Sequence, residues 1–146
     1  VRPHDREDGQ VDAAGRIEAI LRGDRLFSLY GMEVVEAREG YARLRAVVRD
    51  EFLNAHGIAH GALVFALMDV AFAVSVNSIR DAVGIQFNFH IFRAARAGET
   101  VEAESRVIHR GRNSLVVEVA AVSAGSGKPL ARGTATALPL PRPQAP

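Results

Sequence analysis

The chain has 146 residues, 48% apolar and 24% charged, a composition close to the globular average and sufficient for one self-contained core. Its 18 basic residues nearly balance 17 acidic ones, so the net charge of +1 creates no global field toward nucleic acid or an anionic membrane. Zero cysteines exclude a disulfide scaffold, a thiolate nucleophile, iron–sulfur clusters and cysteine-based zinc sites. No N-terminal segment joins basic, apolar and small-residue regions as a secretory signal does, and a cytoplasmic protein is expected.

Residues 1–11 are polar, charged and aperiodic and predict a flexible arm. From Asp12 the pattern turns helical: Ile17, Ile20 and Leu21 recur at helical spacing, with Asp12 able to cap the start and Gly23 the end. A short helical turn is predicted around residues 26–30, stopped by Gly31. Strand signals then take over. Over residues 42–49, Leu44, Ala46 and Val48 alternate with Arg43, Arg45, Val47 and Arg49, giving one dry and one wet face.

Residues 61–78 break this pattern, being apolar without a strict period of two and too long for an ordinary strand. The run falls short of the ~20 apolar residues a bilayer needs, and Asp69 sits at its middle. A helix apolar on all sides is buried on all sides. Burying it requires something wide. The later runs supply that: residues 85–92, where Ile85, Phe87, Phe89 and Ile91 share one face and Gln86, Asn88 and His90 the other, then 101–109, 115–123 and 130–138. Glycine-containing turns at 109–113 and 124–128 separate them, and no repeat of solenoid period occurs. The expected fold is α+β, one antiparallel curved sheet wrapped around one long central helix. Residues 12–138 form the single domain, and the proline-rich 139–146 a flexible tail.

Just before and within the central helix the chain reads Asn54-Ala-His-Gly57-Ile-Ala-His60-Gly61-Ala62, then Phe65-Ala-Leu-Met-Asp69. This N-x-x-G-x-x-H-G pattern, with an acid nine residues after the histidine, resembles the hotdog-fold acyl-CoA thioesterases, in particular their phenylacetic-acid-degradation branch. The likeness covers roughly residues 27–138 and continues through FNFHIFRAARAGETVEA and the following HRGR turn. Two positions depart from the pattern: Ala62 replaces a second glycine, and Ala94 replaces a proline after the strand arginine. The resemblance implies a hotdog fold and hydrolysis of an acyl-CoA thioester to free acid and CoA, with no metal or redox cofactor. It also implies an aromatic acyl group of the phenylacetyl type, with medium-chain aliphatic groups open, and homodimers that pair into homotetramers.

The residues themselves carry matching chemistry. Asp69 has no lysine or arginine at i±3 or i±4, so it is either a structural acid bonded to backbone or a carboxylate facing a cleft. In the second case it activates water or attacks the carbonyl itself. Gly61 falls at the helix start, where free N–H groups favour developing negative charge. Asn54 can position a carbonyl or water, or serve as a turn residue, and His60 is read as supportive. His56 and His60 lack a HExxH glutamate and a third ligand, which argues against a metal. Gln86, Asn88 and His90 line either a pocket or a plain wet face. For the CoA phosphates, Arg93 in one turn and Arg110 and Arg112 in another are the candidates, because guanidinium groups bind phosphate bidentately.

Two rivals remain. A non-catalytic acyl-CoA-binding or sensor protein would not need Asp69, and a hotdog hydratase would need a D-x5-N-x-H arrangement that the chain lacks. Helical geometry adds a prediction about assembly. Nine residues separate His60 from Asp69, a rotation of about 900° and a rise of about 13 Å, so they face opposite ways. One subunit cannot aim both at one carbonyl. Two subunits about a twofold axis can, each giving its helix mouth to one site and its carboxylate to the other.

Overall fold

The computed structural model describes residues 11–141. The arm expected at 1–11 lies outside them except for Val11, and so does the tail expected at 139–146 beyond Pro141. The elements are α1 (Ala13–Gly23), α2 (Arg25–Leu29), β1 (Glu33–Arg38), β2 (Tyr41–Val47), α3 (Gly61–Asn77), β3 (Ala82–Ile91), β4 (Thr100–Arg110), β5 (Leu115–Ser123) and β6 (Pro129–Pro139). A 3₁₀ turn at Asp50–Phe52 precedes α3. The six strands form one antiparallel sheet in the order β1-β2-β4-β5-β6-β3, packed on α3 as a hotdog fold.

Alternation set by the pleat explains three of the four inner strands. On β2, Leu44 and Ala46 are buried while Arg45 and Val47 are exposed, and β4 and β5 repeat the pattern with Val101, Ala103, Val117 and Val119 inward. Those inner faces pack on Leu63, Leu67, Met68, Val70 and Val74 of α3. The helix is rich in valine, a mediocre helix former, and forms because burial outweighs propensity. Its C-terminal end is tied by Asn77, which accepts from the Ala82 N–H at 3.0 Å and donates to the Ala73 carbonyl at 2.9 Å. Asp12 caps α1 by accepting from the Gly15 N–H at 2.8 Å, and Asp24 caps α2 through Leu26 and Phe27.

Gly133 of β6 shows where the sheet tolerates no side chain. It pairs with Phe89, and a Cβ there would lie 2.0 Å from the Asn88 carbonyl oxygen and 2.5 Å from the Phe89 Cα. Backbone cannot step aside as a side chain can. Gly133→Ala is expected to cost about 2–3 kcal/mol, read as a lower urea midpoint; an unchanged midpoint would mean the β3–β6 pair is not this close.

Candidate active site

The loop before α3 is shaped by its own polar groups. Asn54 Oδ1 accepts from the N–H of His56 at 2.9 Å and of Ile58 at 3.4 Å, and Gly57 takes φ +74°, a value most side chains avoid. His60 caps the helix, its Nδ1 accepting from the Ala62 N–H at 3.0 Å. With Nδ1 occupied as acceptor, Nε2 is the nitrogen left to donate. The Leu63 N–H goes to the His60 carbonyl at 2.9 Å. The Gly61 N–H is therefore left at the helix mouth with no acceptor among the described residues.

Gly61 lines a cleft of about 300 Å³ with Asn54, Val64, Ile91, Phe92 and Arg93. Since the loop occupies Asn54 Oδ1, the group Asn54 has to offer is its amide NH₂. Among the described residues the Arg93 side chain keeps only a long contact with Glu99, at 3.8 Å. A free N–H at the positive end of a 17-residue helix, beside an amide donor, suits an oxygen that gains negative charge.

Asp69 stands two turns further along. Every α3 residue is buried except Gly61, Ala62, Phe65, Asp69 and Ala73, and four of these fall at steps of four, so the helix shows one open line. On it, Phe65 stacks on Phe89 at 5.4 Å and 7°, and meets Phe87 edge-on at 5.2 Å. These rings were not singled out as site residues in the sequence, although the alternation over 85–91 places Phe87 and Phe89 on one face. That same alternation turns Gln86, Asn88 and His90 away from α3, onto the exposed outer face and not into the cleft.

Burial, and after it the negative charge of Asp24, push the Asp69 pKa above the ordinary 3.8. An aspartate that must be ionised to act then sets the acid limb of kcat/KM above that value. Asp24→Asn keeps the α2 cap, because asparagine caps as well as aspartate, but removes the second charge. The limb is expected to move to lower pH in this variant; a limb that stays in place would mean Asp24 does not act on Asp69.

The residues picked out by the sequence do not all meet in this chain. Asn54, Gly61 and Arg93 share the cleft, with His60 at its helix cap, whereas Asp69 does not line it. Arg110 and Arg112 lie apart from Arg93, near the opposite end of α3, where Arg80 donates to the Gly111 and Arg112 carbonyls. Among the described residues no group of three or more His, Asp or Glu is placed to hold a metal, and no helix is long and apolar enough to cross a membrane.

Comparison with known proteins joins this geometry to a family. Residues 56–130 match the model of the thioesterase superfamily. The chain belongs to the thioesterase superfamily. This thioesterase is 35% identical over 96 residues to a putative esterase of Archaeoglobus fulgidus, covering 65% of this chain and 62% of that one. It is 30% identical over 106 residues to the acyl-coenzyme A thioesterase PaaI of Escherichia coli, covering 72% and 76% of the two chains. The solved structure of the E. coli PaaI protein from the phenylacetic acid degradation operon superposes with a TM-score of 0.84 at 27% identity, covering 88% of this chain and 94% of that one. The fold and the PaaI-like resemblance expected from the motif are thus borne out.

Proposed function

We propose that this thioesterase hydrolyses acyl-CoA esters to the free acid and CoA. The observation that carries the reading is the unclaimed Gly61 N–H, at the head of α3 and open to a cleft. The thioester oxygen accepts from Gly61 N–H and the Asn54 amide as the carbonyl carbon becomes tetrahedral. Asp69 either takes a proton from attacking water or attacks the carbon itself, giving an anhydride that water then opens. In both forms the CoA sulfur leaves with the bonding pair and is protonated. His60 contributes by holding the helix cap.

Two protomers complete each site in this reading, since Asp69 and the Gly61 cleft stand apart in one chain. The surface that supports pairing is β3, an edge strand bonded only to β6 among the described residues, with Val83, Ile85 and Ile91 exposed and Phe92 exposed just after it. Its inner rings already touch the open line of α3 through Phe65. The polar outer face of the sheet is the surface left for pairing such dimers into tetramers. Phe65, Phe87 and Phe89 form an aromatic cluster beside the line of α3 that carries Asp69, which supports an aromatic acyl group of the phenylacetyl type.

The test is a screen of aromatic and aliphatic acyl-CoA esters, following thiol release, with Asp69→Ala as the blank. The protein has no cysteine, so every new thiol comes from the substrate. Tight binding of CoA esters without turnover by the unmodified protein would instead make it a sensor.

A further inference from the structure

Near the C-terminal end of α3, some 25 Å along the helix from Gly61, three segments meet. They are the β1–β2 turn with Glu39 and Gly40, the residues after the helix with Ser78 and Arg80, and the β4–β5 turn with Arg110, Gly111 and Arg112. Ser78 Oγ accepts from the Gly40 N–H at 2.8 Å, and the Gly40 carbonyl accepts from Val107 N–H at 2.9 Å, so the corner is one connected unit. Arg80, Arg110 and Arg112 belong to this corner, where Arg110 meets the carboxylate of Glu39 and nearby Asp81 is engaged by Arg16 at 2.7 Å. In a chain of net charge +1, this corner concentrates positive charge.

The arginines are used differently. Arg80 turns inward: its guanidinium donates to the Gly111 carbonyl and, at 3.5 Å, to the Arg112 carbonyl, while its Nε is buried with no partner among the described residues. Both hydrogen bonds are made within the fold. They grip the backbone of the turn at two neighbouring points, which a planar fork can do and a single ammonium cannot. Arg110 lies across the β1–β2 turn, where its one acidic partner is Glu39 at 3.5 Å, both side chains being about half exposed. Such a pair is weak and easily exchanged for a stronger anion.

We infer that Arg80 is a positioning residue that pins the β4–β5 turn so that Arg110 and Arg112 meet the phosphates at the nucleotide end of the substrate, while Glu39 occupies Arg110 until a phosphate displaces it. The inference rests on the acyl-CoA reading above. It extends that reading by separating the residue that shapes the phosphate site from those that touch the phosphate.

The probe is adenosine 3′,5′-bisphosphate, which has the phosphorylated end of CoA and no thioester, titrated calorimetrically into the full chain. Arg80→Gln is expected to weaken binding about tenfold, and Glu39→Gln to tighten it a few-fold. Arg80→Lys keeps the charge but not the fork, so it too should bind several-fold more weakly. The same variants should raise KM for CoA esters more than KM for the matching pantetheine thioesters, a split that general loosening of the fold would not produce. Wild-type affinity in Arg80→Lys overturns the positioning role, and this variant decides the matter if Arg80→Gln does not fold. Arg110→Ala separates the two levels. If it weakens binding and the Arg80 variants do not, only the role of Arg80 falls; if it too binds normally, the phosphate corner itself is wrong.

Discussion

Asp69→Asn is expected to lower turnover by at least about 100-fold while a CoA ester still binds, because the amide fills the same space but neither takes a proton nor attacks carbon. The same variant is expected to be more stable than the parent at neutral pH. Asp69 is part-buried, has no hydrogen-bond or ion-pair partner among the described residues, and its pKa is raised. Its contribution to stability is therefore present below the unfolded-state pKa and lost as pH rises through the folded-state value. Removing the charge removes that loss. The two Tm values should converge as the solution is acidified and the wild-type carboxyl protonates. Near wild-type turnover in Asp69→Asn would return the residue to a structural role, and a lower Tm at neutral pH would mean the carboxylate has a stabilising partner.

Mixing two inactive variants should restore about a quarter of wild-type activity if each site draws on two chains. The partner for Asp69→Asn is Gly61→Pro. Gly61 is the first residue of α3, the position where proline fits a helix, and His60 before it has φ −60° and ψ 136°, a conformation proline permits in its neighbour. The substitution thus deletes the N–H and leaves the helix start intact. The added ring meets the Ile91 Cδ1, the movable end of a side chain, already 3.1 Å from where a Cβ would stand. Co-refolded in equal amounts, the two chains pair at random into about half mixed dimers, and each of these has one doubly defective and one intact site. A sample shown by mass spectrometry to contain mixed dimers, yet without recovered activity, would sink the composite site.

The central helix was legible because two independent features agreed: an apolar run without a period of two, and a cluster of Asn54, His60 and Gly61 at its start with Asp69 at its middle. The middle strands were legible because each has one buried and one wet face. β1 was not. Glu33–Arg38 is largely exposed, with Val34 and Val35 adjacent and both in reach of solvent, so no alternation marks it as a strand. The open side of α3 was hidden for the opposite reason, since a helix apolar all round gives no sign of which residues its own sheet leaves uncovered. Arg110 and Arg112 could be picked out by their turn, but Arg80 could not. Its partners are carbonyls of a distant segment, and backbone groups leave no trace in the side-chain sequence.

The unpaired border of β3 gives the life of this chain a vulnerable interval. A strand of ten residues, open on one side among the described residues and bearing Val83, Ile85 and Ile91, is adhesive to any extended segment that reaches it. If the proposed dimer forms through this edge, a newly made protomer competes between encounter with its twin and capture by other partly folded chains. The odds depend on how many twins are nearby, so abundance itself protects the fold. Scarcity exposes it, through fewer correct encounters rather than any change within the protomer.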